Sequence, residues 1–183
     1  MIYYLVGLFD SDSYKYVESL QKTLCKKYNL YSSINNLPKL HITLEIITDP
    51  SLLQDLDICL KNILKDYTQF QVELNGVICF DPPFKSVNLN IDNKGIIYDL
   101  SKKINFILNS QGFIVREHIE NWNLHISLAN TTFADREWSS SEYLAACNLA
   151  KNENLSKIIT VRSVELWKPI NDTDEMVVKK YIL

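Results

Sequence analysis

A four-residue pattern occurs twice, and the order of elements around it occurs twice with it. His41-Ile42-Thr43-Leu44 and His125-Ile126-Ser127-Leu128 each sit in an apolar, β-branched run, residues 40–47 and 124–128. Such runs read as strands. The first pattern begins 39 positions after Ile2 and the second 39 positions after Ser86. Each half of the chain reads strand, helix, motif strand, helix, strand. A length of 183 residues suits one generous core or two small lobes sharing a cleft. The spacing therefore predicts one bilobal α+β domain over 1–183, with sequence halves near 1–83 and 84–183 and open to an exchange of strands. Two pseudo-symmetric antiparallel lobes would carry helices outside and set the motif strands across a groove.

Local signals supply the elements. Ile2–Phe9 is an apolar and aromatic strand, followed by four candidate caps, Asp10 to Ser13. Tyr14, Val17, Leu20, Leu24 and Tyr28 mark a helix. Residues 32–37 read as a polar loop and 39–47 as the first motif strand. Asp49-Pro50 opens a helix carrying Leu52, Leu56, Leu60 and Ile63. Residues 70–79 alternate, with a bulge expected at Gly76 and a stop at Asp81-Pro82-Pro83. The second half predicts a strand over Ser86–Ile91, a helix over 96–108 ending at Gly112, and a short strand at 113–115. The motif strand at 123–129 follows, then a helix over 142–150 and strands over 158–167 and 176–182.

Side chains at i and i+2 of a strand share a face. Each motif thus sets an imidazole beside a hydroxyl. A single His-x-Thr means little, since histidine is often half-buried and satisfied. Two copies at matching places, using two of three histidines, point to paired chemistry. One imidazole can take a proton from a nucleophile while the other gives one to a leaving oxygen. Thr43 and Ser127 would hold phosphoryl oxygens. No metal is expected, because no HExxH and no carboxylate cluster joins either histidine in sequence. No cofactor is expected either. His118 has only Glu120 at i+2 and reads as non-catalytic.

This pairing resembles the 2H phosphoesterase superfamily, whose hallmark is two H-x-[ST]-x motifs in a bilobal α+β protein. The group contains 2'-5' RNA ligase-like proteins, cyclic nucleotide phosphodiesterases and viral 2',5'-phosphodiesterases. The resemblance runs from the opening strand to the closing strand near Val161 and Trp167. It implies His41 and His125 as general acid and base, with Thr43 and Ser127 on the phosphate. It implies a phosphodiesterase acting on a 2',3'-cyclic phosphate, a 2'-5' oligoadenylate or a cyclic dinucleotide. The alternatives are 2'-5' RNA ligation by the same residues run backward, or a non-catalytic nucleotide- or RNA-binding module.

Other side chains are candidates for substrate contact. Lys39 shares the face of His41, and Arg116 and Arg136 flank the second motif. Tyr4, Phe9 and Trp122, together with Phe133 and Trp138, could stack on bases or simply pack. Glu45, two beyond Thr43, would end its strand in solvent or point at the groove. The segment 116–123 could close one side of that groove.

Lys plus Arg is 19 and Asp plus Glu 22, a net charge of -3. That argues against coating long duplexes and favours a small nucleotide or short RNA as the partner. Residues 1–10 lack the basic flank and apolar length of a signal peptide, and no run is long enough to span a bilayer. A cytoplasmic monomer with no membrane contact is the expectation. Cys25, Cys59, Cys79 and Cys147 form no CxxC and read as reduced structural thiols.

Overall fold

The computed structural model describes residues 1–33, 37–50, 53–153 and 155–183. Leu52 and the middle of the expected 32–37 loop lie outside them. Strand β1 is Ile2–Phe9. The Asp10 side chain accepts from the Ser13 backbone N–H at 2.8 Å and starts α1, Ser11–Tyr28. Val17, Gln21, Leu24 and Cys25 form the buried stripe of α1. Asn29, with φ 48, turns the chain out of the helix. β2 spans Ile42–Thr48, α2 Leu53–Leu64 and β3 Phe70–Phe80. Gly76, with φ +71, sits in the break of the β3 register between Leu74 and Val77, where the sequence places the bulge. The second half holds β4 (Ser86–Ile91), α3 (Gly95–Ser110), β5 (His125–Ala129) and α4 (Ser140–Asn152). β6 (Ser156–Trp167), the short α5 (Thr173–Met176) and β7 (Val177–Ile182) close the chain.

Among the described residues all strand pairs are antiparallel, in one seven-stranded sheet ordered β2-β1-β6-β3-β4-β5 with β7 on β6. The sheet is continuous across the halves because β3 and β6 bond to each other from Phe70–Val161 to Asn75–Ser156. The third strand of each half leaves its own half. β3 pairs with β4, and β6 pairs with β1. The remaining end of β6 carries β7 from Ser163 to Trp167. Helices cross over as well, with α1 packing on β5 and α3 on β2. The larger apolar core therefore draws on both halves, including Leu5, Ile42, Leu44, Leu89, Leu100, Ile126 and Val161, beside a smaller cluster of Val6, Leu8, Trp167 and Met176.

Two sequence expectations change. Cys79 and Cys147 are joined in a disulfide rather than reduced, leaving Cys25 and Cys59 free. The packing of α4 on β3 brings the two cysteines together across a sequence separation of 68, which no local spacing signals. The expected strand at 113–115 is a single bridge, Ile114 to Thr48. Gly112, with φ +84, has just turned the chain off α3, and only one ladder contact forms before it leaves the sheet. Among the described residues no helix is long and apolar enough to cross a membrane.

Candidate active site

The motif strands β2 and β5 end the sheet path on opposite sides, yet they touch each other. The sheet curls until its two outer strands meet. Ile42, Leu44, Ile126 and Leu128 enter the core, while His41, Thr43, His125 and Ser127 remain half-buried on the other face. His41 Nδ1 lies 2.8 Å from the Lys39 carbonyl, and His125 Nδ1 lies 2.7 Å from the Asn123 carbonyl. A carbonyl only accepts, so each Nδ1 carries the proton and each Nε2 is left with its lone pair.

Each imidazole is walled by the last residue of a strand from the other half. The Trp167 ring meets His41 edge-on with centroids 4.9 Å apart, and Phe80 meets His125 in the same way at 4.9 Å. Phe80 ends β3 and Trp167 ends β6, so the exchange of third strands builds both walls. Trp122 adds a further face to His125 at 5.9 Å.

A cation stands over each tryptophan and pairs with a buried glutamate. Lys39 Nζ is 5.1 Å from the Trp167 centroid and 3.5 Å from Glu165. Arg116 lies 4.0 Å over Trp122, and its Nε pairs with Glu45 at 2.8 Å. Arg116 also donates to the Leu44 carbonyl, and its second terminal nitrogen is buried with no partner among the described residues. Glu45 is fully buried and further accepts from Asn105 at 2.8 Å and from the Arg116 backbone N–H at 3.2 Å. It neither ends its strand in solvent nor points at the groove. Leu5 faces Glu45 and Val6 faces Thr43, so Leu44 is an extra residue. This bulge turns Glu45 off the Thr43 face.

His41 and Ser127 line one cavity of about 360 Å³ together with Tyr4, Lys39, Phe133 and Trp167. Phe9 is instead buried in the core and does not line this cavity. Arg136 is spent at the start of α4, where it pairs with Glu142 at 2.7 Å and donates to the Tyr28 and Asn29 carbonyls. Trp138 is also core, donating to the Lys85 carbonyl at 2.8 Å. His118 is exposed beside Glu120 and does not line the cavity. Phe80, Asn88, Glu165 and Trp167 escaped the sequence reading as site residues. For Phe80 and Trp167 the signal existed, since each closes the third strand of its half.

Burial pushes the His41 imidazole down to about 4, with the positive charge His125 can carry and that of Lys39 adding to the effect. The carbonyl of Lys39 opposes it. Burial also lowers His125, and Arg116 contributes. Both are neutral at pH 7. Among the described residues, no group of three or more His, Cys, Asp or Glu stands together to hold a metal ion.

The family model described as the 2'-5' RNA ligase superfamily matches residues 9–173. No curated protein matches the chain. Solved structures do. The Thermus thermophilus protein TT0787 is 13% identical with a TM-score of 0.68, covering 100% of this chain and 98% of its own. The E. coli LigT structure complexed with 3'-AMP is 12% identical, with a TM-score of 0.61 and coverage of 99% and 97%. The MHV ns2 PDE domain is 10% identical, with a TM-score of 0.62 and coverage of 91% and 98%. At such identities the structures show a shared fold, while the family match spans most of the sequence. The chain belongs to the 2'-5' RNA ligase superfamily of 2H phosphoesterases.

Proposed function

We propose that the chain is a phosphodiesterase acting on small nucleotides or RNA ends through His41 and His125. The observation that carries this reading is the matched pair of imidazoles. Each is locked by a backbone carbonyl so that only Nε2 can exchange a proton, and each comes from an outer strand of the curled sheet. One Nε2 takes the proton of the attacking water or hydroxyl. The other, protonated, gives its proton to the departing ester oxygen. His41, with the deeper depression, stays neutral over the wider pH range and serves as base. His125 serves as acid, its proton stabilised once the dianionic transition state is beside it. Thr43 donates to a nonbridging oxygen. Lys39 adds positive charge at the cavity, tempered by its pairing with Glu165.

The cavity of about 360 Å³ beside His41 and Ser127 suits a nucleoside. Tyr4, Phe133 and Trp167 offer aromatic faces to a base. The 3'-AMP complex of the E. coli relative supports a ligand of that size. Arg116 and Trp122 act behind His125, as its support.

Incubation with 2',3'-cyclic nucleotides, 2'-5' oligoadenylate, 3'-5' RNA and cyclic dinucleotides, followed by product analysis, tests the proposal. Hydrolysis of at least one 2'-linked or cyclic substrate is expected. Binding without turnover across the whole panel would replace the enzyme with a binding module.

A further inference from the structure

The two motif hydroxyls occupy corresponding positions but have different neighbours. Across the ladder from Thr43 stands Val6, an apolar residue with no acceptor to offer. Across from Ser127 stands Asn88. Asn88 has no exposed surface, and its side-chain nitrogen points at the Ile78 and Ser86 carbonyls, each at 3.2 Å, and at Ser86 Oγ at 3.0 Å. Turning the amide over would press its oxygen against two carbonyl oxygens, so the orientation is fixed. Asn88 Oδ1 therefore faces Ser127 Oγ, 2.8 Å away, and the serine must donate. A hydroxyl has one proton. Handing it to a phosphate would leave a buried carbonyl oxygen without a partner.

We infer that Ser127 binds substrate as a hydrogen-bond acceptor, receiving a hydrogen bond from the ribose hydroxyl next to the scissile phosphate, and that Asn88 is the positioning residue holding it in that role. Ser127 lines the cavity that also meets His41, and with its one proton committed to Asn88 its oxygen retains only acceptor capacity for a ligand there. Thr43 alone is then free to donate to phosphoryl oxygen. The two motifs divide the work, one recognising phosphate and the other ribose. This rests on the phosphodiesterase reading and narrows its substrate class to ribonucleotides with a free hydroxyl beside the scissile phosphate, which a 2',3'-cyclic phosphate, with both ribose oxygens esterified, does not have. A deoxyribonucleotide would lack the donor.

Two measurements test it. The first needs no ligand. Ser127→Ala strands Asn88 Oδ1 and is expected to lower the melting temperature by about 2–4 °C for each lost kcal/mol-sized interaction in a chain of this length. In an Asn88→Val background, which copies the valine that faces Thr43, the same change should cost nothing further. Additive shifts would overturn the inference. The second compares calorimetric binding of 3'-AMP with its 2'-deoxy-2'-fluoro counterpart, which retains an acceptor but has no proton to give. The wild type should prefer 3'-AMP roughly five- to tenfold. That preference should fall towards one in Ser127→Ala, and also in Asn88→Val, where the serine is released to serve phosphate. The Ser127→Ala comparison stands even if Asn88→Val does not fold. Equal affinity of the wild type for both nucleotides would overturn the inference while leaving the phosphodiesterase reading intact. Failure to bind either nucleotide would overturn the inference, whereas failure to hydrolyse any member of the phosphodiester panel would overturn the reading it rests on.

Discussion

At His41 and His125 a carbonyl two positions back decides which ring nitrogen keeps its lone pair. The same geometry at both sites follows from the strand ends that carry them. It leads to two expectations. His41→Ala and His125→Ala should each reduce turnover by roughly 10²- to 10⁴-fold while the circular dichroism spectrum is unchanged. A variant that kept full turnover would remove its histidine from the mechanism. The pH profile of kcat/KM should be bell-shaped and centred on the acid side. A base works deprotonated, so the acid limb should fall as pH drops through the His41 value of about 4. An acid works protonated, so activity should fade as pH rises through the His125 value, which burial holds below the ordinary 6.5. A maximum above pH 7 would contradict these environments. The motif residues were legible as residues because His-x-[ST] recurs with its apolar neighbours. Asn88 was not legible, since nothing in its own neighbourhood shows that it faces Ser127.

Among the elements, β2 departs furthest from its sequence pattern. Alternation places Thr43 and Glu45 on one face, but the bulge at Leu44 sends Glu45 inward to Arg116. A bulge is a property of a pair of strands, and β2 alone carries no sign of it. The pairing it creates is consequential, because Arg116 has only 11% side-chain exposure. Glu45→Ala would leave a buried guanidinium without its counterion. Urea unfolding should show a loss of about 3–5 kcal/mol. A loss under about 1 kcal/mol, the range of an exposed pair, would mean that water reaches Arg116 freely. The 113–115 segment teaches the same lesson in reverse. Its apolar residues suggest a strand, but one bridge to Thr48 is all the partner surface it meets.

For the molecule as a whole, the exchange of third strands joins the halves in one continuous sheet, and we expect them to fold as one unit. A chain ending at residue 83 would keep β3 but lose both its partners, β4 and β6, and would deprive β1 of β6. We expect the 1–83 fragment to show no cooperative thermal transition, whereas the full chain melts in one. A cooperative fragment would show that the halves are separate domains. The disulfide between β3 and α4 and the larger apolar core, shared by both halves, act in the same direction.

Hydrophobic period, turn residues and the repeated motif are written along the chain, and they determined most of the elements, their order and the two histidine–hydroxyl pairs. Partnership is not written locally. Which strand lies beside which, the bulge that hides Glu45, the cysteines that meet, and the aromatic wall each half lends to the other were decided only in three dimensions. The reason is that these contacts join residues far apart in sequence, and their geometry is set by packing the whole core at once.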